Sequence, residues 1–350
     1  MRATESVADA RRAMEICNAC RYCEGYCAVF PAMELHRAFT DADLGYLANL
    51  CHGCRGCYYS CQYAPPHEFG INLPKTFAEV RAESWADYAW PRPLAAAFAR
   101  NGVVVSAISA AAVALVLVAA APRLTQGAFY DVIPFGVMVA VGVLTFGFAL
   151  LAMAMGFRNF WRDAGAGLRP EPGALARAVH DALTLRYLGG GGHGCNDRDE
   201  GFSGTRRLLH HAMFYGFTLC FAATCVATVY HHFLGWQAPY ALLSAPVILG
   251  TIGGVGMLVG TAGLFRLKLI GDTEPTARNL LGADVALLFL LAMVAATGLA
   301  LLALRSSSGM ATALCIHLGF VLALFLLLPY SRFVHGVYRF AALLRFALEK

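Results

Sequence analysis

Charged side chains are scarce in this chain. Asp, Glu, Lys and Arg together make up 14% of its 350 residues, whereas hydrophobic residues make up 58%. Globular proteins average about 25% charged residues. The shortage of charge therefore argues against one large soluble core and favours a membrane protein.

Several common sequence signals are also missing. No apolar run occurs before Gly102, so we expect no cleaved secretory leader. No Gly-x-Gly-x-x-Gly fingerprint follows a strand, and the glycine run 189–192 lacks the Gly-Lys-Ser/Thr of a P-loop. We find no substrate-oxidising active site, so a flavin must come from a partner. We interpret the glycine run and the following Cys195 as a flexible turn, with a role near a cofactor as the alternative.

Long apolar runs fill the chain after a break at residues 90–93. A spanning helix needs about 20 apolar residues, and six segments meet this requirement: 103–121, 133–157, 209–234, 243–267, 279–304 and 310–329. The predicted fold class is all-α, with an α-helical ferredoxin domain at 1–100 and a six-helix transmembrane bundle at 101–350. A long loop, 158–208, joins the second and third spans.

The basic residues indicate the orientation, because Lys and Arg accumulate on the cytoplasmic side of a membrane. With the N-terminus inside, 25 of the 27 basic residues lie on the cytoplasmic side, since Arg123 and Arg305 alone fall outside. We therefore predict a multi-pass protein of the inner (cytoplasmic) membrane, with both termini and loop 158–208 in the cytoplasm. This bias also accounts for the net charge of +5 without a nucleic acid partner.

Eight of the 12 cysteines form two runs of identical spacing, x2, x2, x3. The runs are Cys17, Cys20, Cys23, Cys27 and Cys51, Cys54, Cys57, Cys61. This is the spacing of two-cluster bacterial ferredoxins, in which the fourth cysteine ligates the other cluster. We assign Cys17, Cys20, Cys23 and Cys61 to one [4Fe–4S] cluster. We assign Cys51, Cys54, Cys57 and Cys27 to the other.

Zinc and disulfides explain these runs less well. Zinc sites take their cysteines in pairs, and disulfides are rare in a reducing cytoplasm. Ala28 and Gln62 stand where ferredoxins usually have proline after the fourth cysteine. Residues 33–49, between the runs, have a helical character, which favours an α-helical ferredoxin over the small β-containing kind. The cysteines predicted within spans, Cys220, Cys225 and Cys315, are interpreted as packing residues.

Six of the 11 histidines lie in or at the ends of two predicted spans. These candidate haem ligands are His210, His211, His231, His232, His317 and His335. Polar groups inside spans are costly and usually functional, and imidazole is a standard axial ligand of haem iron.

The spacing of these histidines predicts where haem would lie. His317 and His335, taken as parts of one helix, are five turns and about 27 Å apart and share a face. His335 would then lie near His210 and His211 at the cytoplasmic end, and His317 near the histidines at 231–232 at the outer end. The layout predicts two bis-histidine b haems, one per leaflet. One haem and none remain alternatives, because adjacent histidines also act as interfacial anchors.

The chain resembles the tricarballylate/citrate utilization protein B family over nearly its whole length. The similarity lies in the two cysteine runs, Tyr-Leu-Gly-Gly-Gly-Gly at 187–192 and His-His-Ala-Met-Phe-Tyr-Gly-Phe at 210–217. It implies a soluble FAD-dependent dehydrogenase partner that oxidises tricarballylate, whose FADH2 this subunit reoxidises, and electron delivery to the membrane quinone. The membrane half is similar to the gamma subunit of respiratory nitrate reductase, a bis-histidine dihaem cytochrome b. That similarity implies a haem role for His317 and His335.

The leading interpretation is thus an electron-transfer subunit of a flavoprotein:quinone oxidoreductase. One alternative is the membrane subunit of a heterodisulfide- or sulfite-type complex. A redox sensor would need an output domain, for which no residues are left over. A tricarboxylate transporter would need basic residues within the spans, and the apolar cores of the predicted spans contain none.

Overall fold

The computed structural model describes residues 4–98, 101–120, 129–165 and 167–350. These residues form α-helices and short 3-10 helices and contain no strand, although one isolated bridge pairs Cys195 with Ser203. The predicted all-α fold class is confirmed. The α-helices are α1 Glu5–Cys20, α2 Val29–Glu34, α3 Asp41–Leu50, α4 Gly56–Tyr59, α5 Leu73–Tyr88, α6 Arg92–Ala97, α7 Asn101–Ala120, α8 Phe129–Val132, α9 Phe135–Ala164, α10 Ala174–Leu183, α11 Thr205–Phe233, α12 Ala245–Ile270, α13 Leu281–Leu304, α14 Met310–Leu327 and α15 His335–Glu349.

Six helical segments are long and apolar enough to cross a membrane, as predicted. They are Asn101–Ala120, Phe135–Ala164, Thr205–Phe233, Ala245–Ile270, Arg278–Leu304 and Met310–Leu327. The observed bounds lie within a few residues of the predicted ones, except that the second helix continues well beyond residue 157. Ala121, the predicted end of the first span, lies outside the described residues, as does Arg123. The chain is a multi-pass membrane protein.

The cysteine-rich domain, residues 4–98, consists of the short helices α1–α6. The last turn of α1 carries Cys17 and Cys20. The helix stops there because Arg21 adopts a left-handed conformation, φ 55°, and its N–H bonds the Cys17 carbonyl. Thr40 starts α3 through a capping box with Asp43. The segment between the two cysteine runs is therefore helical, as predicted.

His317 and His335 lie on two different helices, so the prediction that they share one helix was wrong. α14 ends at Leu327, Ser331 caps a short 3-10 turn, and His335 begins the separate helix α15. Pro329 accounts for the break, because proline has no N–H to donate to the carbonyl four residues earlier. The spacing of His317 and His335 therefore does not measure a distance along one helix.

α15 packs against the cysteine-rich domain. Its Tyr338 and Phe346 are buried in the core that also holds Phe160 of α9 and the apolar side chains of α1–α5. Its Arg345 forms an ion pair of 2.8 Å with Asp43 of α3. These contacts fix the position of His335, at the start of the helix, relative to the cysteine runs.

Glycines bring α11 and α12 into close contact. A Cβ atom on Gly216 would lie 2.6 Å from the Met257 nitrogen, and one on Gly260 would lie 2.5 Å from the Met213 nitrogen. Small residues allow membrane helices to approach this closely. The packing fixes α11, which carries four of the six candidate histidines.

The predicted loop 158–208 is largely folded and lies against the cysteine-rich domain. It contains the end of α9, all of α10 and a 3-10 helix at Arg186–Gly192. Arg55 donates to the Asp197 carbonyl at 2.9 Å, and Tyr59 donates to Asp272, beyond α12, at 2.5 Å. The segments after α9 and after α12 thus lie on the same side of the bundle as the N-terminal domain.

Candidate functional site

The first of two cysteine-lined cavities lies at the edge of the cysteine-rich domain. Its wall includes the four cysteines assigned to the first cluster, together with the second-run residue Cys57: Cys17, Cys20, Cys23, Cys57 and Cys61. We call it the outer cavity. Its rim residues Arg21, Tyr22 and Gln62 are exposed, and Gln62 Nε2 lies 3.8 Å from Cys20 Sγ.

The second cavity, which we call the inner cavity, faces the membrane half. Its wall includes Cys27, Cys51, Cys54 and Cys57, the four cysteines assigned to the second cluster. Gly53, in the turn between Cys51 and Cys54, has φ +61°, a conformation that suits glycine. Its N–H lies 3.3 Å from Cys51 Sγ, and such hydrogen bonds tune iron–sulfur clusters.

The two cavities share part of one wall, formed by Phe30, Cys57 and Leu73. Each cavity receives the fourth cysteine of the other run, Cys61 in one case and Cys27 in the other. The structure therefore groups the cysteines as the crossed assignment requires. Ligation of iron by these thiols stays a prediction.

The chemistry of the thiols fits a cluster better than a single metal ion. Among the described residues, no three His, Cys, Asp or Glu side chains converge on one point. A cubane binds each thiolate to a different iron, so its cysteines surround a cavity instead. Burial, reinforced by the neighbouring thiols of Cys61, Cys23 and Cys20, raises the pKa of Cys17 to about 12. Metal binding must therefore displace protons here.

The glycine run 189–192 lies against Cys54, which lines the inner cavity. It belongs to a 3-10 helix, and a Cβ on Gly190, where φ is +49°, would lie 3.8 Å from Cys54 Sγ. Cys195 is fully buried and packs with Cys54, Leu185 and Leu188 in a small hydrophobic core. Its thiol donates to the Leu188 carbonyl at 3.1 Å. A place near a cofactor, the alternative from the sequence, stays a prediction.

Two arginines from the membrane half reach the second cysteine run. Arg206 of α11 donates to the Gly53 carbonyl at 2.6 Å, and Arg339 of α15 donates to the Cys51 carbonyl at 2.7 Å. Each arginine is four residues from a candidate histidine, His210 on α11 and His335 on α15, and residues four apart share a helix face. Our sequence interpretation missed these arginines, although the Arg-x3-His and His-x3-Arg spacings were visible.

The same two helix ends bring His210 and His335 together. Their ring centroids are 6.1 Å apart, and the rings are nearly perpendicular at 81°. Two imidazoles bonded at about 2 Å on opposite sides of one metal ion have centroids roughly 6 Å apart. Nδ1 of His210 is buried without a hydrogen-bond partner. His210 and His335 are therefore the residues that would hold one b haem here, which would supply one-electron transfer.

The protonation state of His335 also suits a ligand. Its Nδ1 lies 2.7 Å from the Arg332 carbonyl, which can only accept, so Nδ1 carries the proton and Nε2 keeps its lone pair. Burial, with Arg339 nearby, lowers the pKa of His335 to about 4. The imidazole is neutral near pH 7, as metal binding requires.

The other α11 histidines lie elsewhere. His211 contacts Tyr215 rather than His335, with ring centroids 5.7 Å apart. His231 and His232 both contact Phe135 at the start of α9, with ring centroids 4.1 and 5.0 Å from it. Of the four α11 histidines, His210 is thus the one placed against His335.

His317 is held by α13. Its Nδ1 lies 3.1 Å from Thr297 Oγ1, and that hydroxyl donates to the Met293 carbonyl at 2.6 Å. The hydroxyl therefore accepts from Nδ1–H, which leaves Nε2 free for a metal. A Cβ on Gly298 would lie 3.0 Å from the His317 ring. Among the described residues, no α11 histidine ring contacts that of His317, so the outer bis-histidine pair stays a prediction.

Comparison with known proteins gives matches for both halves of the chain. Residues 10–89 match the family model described as Citrate utilization protein B Fer4-like domain, and residues 92–350 match that of Citrate utilization protein B. Citrate utilization protein B of Escherichia coli is 47% identical over 356 residues, an alignment that covers 99% of this chain and 93% of that protein. No solved structure matches. The Fer4-like match indicates an iron–sulfur electron-transfer role, and the chain belongs to the citrate utilization protein B family.

Proposed function

We propose that this protein is the membrane subunit that reoxidises a partner flavoprotein, a FAD-dependent dehydrogenase of the tricarballylate type, and reduces the membrane quinone. One observation carries the proposal: α11 and α15, which bear the His210–His335 pair, also bond the wall of the inner cavity, through Arg206 to the Gly53 carbonyl and Arg339 to the Cys51 carbonyl. [4Fe–4S] clusters and b haem supply one-electron transfer when bound. In this proposal the cysteines of the outer cavity, the cysteines of the inner cavity and the histidine pair would hold these groups one after another.

Electrons enter at the outer cavity in this proposal. Arg21, Tyr22 and Gln62 at its rim are exposed, and Tyr22 is 71% accessible. In contrast, no described residue that lines the inner cavity is exposed. A soluble partner can therefore reach the outer cavity but not the inner one, and the exposed rim is the proposed dock. With the predicted orientation, this dock faces the cytoplasm.

The path then continues towards the membrane. His52, between Cys51 and Gly53, is buried at 6% exposure, and burial followed by nearby Arg339 lowers its pKa well below the usual value. His210 lowers the pKa of the same ring further, so His52, within the second cysteine run, lies near the histidine pair. Overall, the flavin loses two electrons and two protons, and the quinone gains two of each.

Reconstitution tests the proposal. The purified protein is placed in liposomes with a quinone analogue, the FAD-dependent dehydrogenase and tricarballylate, and quinone reduction is followed. Cys54→Ala, in the inner cavity, should abolish quinone reduction. Cys225→Ala, at an exposed position on α11, is the matched control and should leave the rate unchanged.

The outcomes separate the competing functions. An unchanged rate with Cys54→Ala would mean that electrons bypass the cysteine cavities, and the proposed path would fail. Quinone reduction by chemically reduced protein, but not by the reduced dehydrogenase, would favour the membrane subunit of another oxidoreductase, of the heterodisulfide or sulfite type. A protein that binds clusters but reduces no quinone under either condition would favour a redox sensor.

A further inference from the structure

Two arginines converge on one carbonyl oxygen at the inner cavity. The Cys51 carbonyl accepts from Arg81 of α5 at 2.5 Å and from Arg339 of α15 at 2.7 Å. Arg81 also donates to the Ala48 carbonyl, and Arg339 lies 3.4 Å from that of Asn49. Both guanidinium groups are thus directed at the main chain that leads into the second cysteine run.

The positive charge of these arginines is not neutralised locally. Among the described residues, no carboxylate lies within ion-pair distance of Arg81 or Arg339. The carboxylates closest to this region have other partners. Asp284 pairs with Lys268 at 2.6 Å and with Arg332 at 2.9 Å, and Asp197 lies 3.7 Å from Arg206.

Hydrogen bonding alone does not explain this arrangement. A carbonyl oxygen can be satisfied by neutral donors, and two like charges held next to each other at half-buried positions repel. The arrangement becomes favourable if an anion lies nearby. A [4Fe–4S] cluster with four thiolate ligands is such an anion, and its negative charge grows by one when it is reduced.

The positive charge at the outer cavity is exposed to solvent. The neutral amide of Gln62 lies at its sulfurs, and the guanidinium of Arg21 on its rim bonds Asn18 at 3.0 and 3.3 Å at an exposed position. Water and salt screen an exposed charge more than a half-buried one, so the two cavities differ in how strongly positive charge acts on them, although the cysteine spacing of the two runs is the same.

We propose that Arg81 and Arg339 are positioning residues that act as the counter-charge of the inner cluster and raise its reduction potential. The inference rests on the proposed function, because it presumes that both cavities hold clusters. Reduction by the outer cluster moves one electron inward, so that the outer cluster is oxidised and the inner one reduced. No bond is made or broken and no proton moves. Fixed positive charge beside the inner cluster favours this direction.

A redox titration of the full-length protein in detergent, followed by electron paramagnetic resonance, measures the potentials directly. The variants are Arg339→Gln, Arg81→Gln and the charge-retaining Arg339→Lys. Arg177→Gln is the matched control, because Arg177 also donates to a main-chain carbonyl, that of Ala347, but has Glu171 as an ion-pair partner.

We expect each Gln variant to lower one of the two cluster midpoints and leave the other in place. A tenfold loss in the equilibrium constant for reduction corresponds to about 59 mV for a one-electron couple, and we expect at least that shift. Arg339→Lys keeps the positive charge, so its midpoints should stay close to those of the wild type. Arg177→Gln should change neither midpoint. Should Arg339→Gln fail to keep its clusters, Arg81→Gln decides the question.

The inference would be overturned if Arg339→Gln and Arg81→Gln had the same midpoints as the control Arg177→Gln. The titration uses dithionite and mediators and no partner protein, so it does not depend on the dehydrogenase. Intact clusters with unmoved midpoints would therefore overturn this inference alone. A wild-type protein without clusters would overturn the proposed function as well.

Discussion

His210 and His335 lie ring to ring, 6.1 Å apart, on two helices that are distant in the chain. The contact depends on α15 folding back onto the cysteine-rich domain, which places its first residue beside the first turns of α11. That packing brings two candidate haem ligands together at this end of the bundle. It is also the end nearer the inner cavity.

The first prediction concerns these two histidines. His210→Ala and His335→Ala should each remove the same b haem, because each deletes one of two axial ligands. The measurement is the pyridine haemochrome content together with the reduced-minus-oxidised spectrum. His211→Ala is the matched control and should keep this haem, since its ring contacts Tyr215 instead. Loss of haem in His211→Ala with retention in His210→Ala would contradict the assignment, as would a wild type without haem.

The second prediction concerns the cysteines. Anaerobically purified protein should contain about eight irons and eight labile sulfides, the content of two [4Fe–4S] clusters. Cys20→Ala and Cys54→Ala should each lower both contents by up to about half, because each removes one ligand of one cluster. Cys195→Ser should keep the full content, because the Cys195 thiol serves as a donor to Leu188. Zinc without labile sulfide in the wild type would exclude the clusters.

The membrane spans were predictable because the requirement for about 20 apolar residues is a strong constraint on composition. The grouping of the cysteines around two cavities could also be predicted from their spacing. The position of His335 was not, because a spacing argument assumes an unbroken helix. Pro329 and the cap at Ser331 break it. A proline so close to the end of an apolar run was the signal that should have separated His317 from His335.

The position of the arginines at the inner cavity could not be predicted from any single segment of the sequence. Arg81, Arg206 and Arg339 come from three distant helices, and their common target is a stretch of main chain, which carries no side-chain signature. The positive-inside rule already explained why basic residues in general are abundant on one side of the bundle. The function of individual charges within that bias depends on tertiary packing.

The third prediction concerns His317. If His317 ligates a second haem, His317→Ala should remove it and leave the first in place. Thr297→Val should weaken binding of that haem by 10–100-fold, the usual effect of removing a hydrogen-bond partner of a metal ligand. Haem titration of the apoprotein measures this. Thr251→Val, on α12, is the control, because its hydroxyl bonds the Val247 carbonyl in the same manner without touching a histidine. Equal affinities in the two variants would argue against ligation by His317.

The attachment of α15 depends on a buried ion network. Arg345 is 6% exposed, lies 2.8 Å from Asp43 of α3 and 2.7 Å from Glu349, and stacks over the ring of Tyr46 at 4.0 Å. Burial by itself would raise the pKa of Asp43. Hydrogen bonds from Thr40 and Arg345 outweigh that effect and hold the pKa below its usual value of 3.8.

The fourth prediction follows from this lowered pKa. A carboxyl whose pKa is lower in the folded state stabilises the fold above its unfolded pKa, and this contribution is lost as the pH falls through the folded value. Asp43→Asn should therefore cost about 1.5–3 kcal/mol at pH 7, the worth of a hydrogen bond to a charged group. The cost should begin to shrink as the pH falls below the usual pKa of 3.8 and should continue to shrink through the lower folded value. Unfolding followed by intrinsic fluorescence at pH 7 and pH 3 measures the difference. Asp41→Asn is the control, because Asp41 pairs with Arg11 at the surface, and such pairs contribute about 0–1 kcal/mol. A gap between wild type and Asp43→Asn that is equal at pH 7 and pH 3 would show that the Asp43 charge does not hold α15 in place.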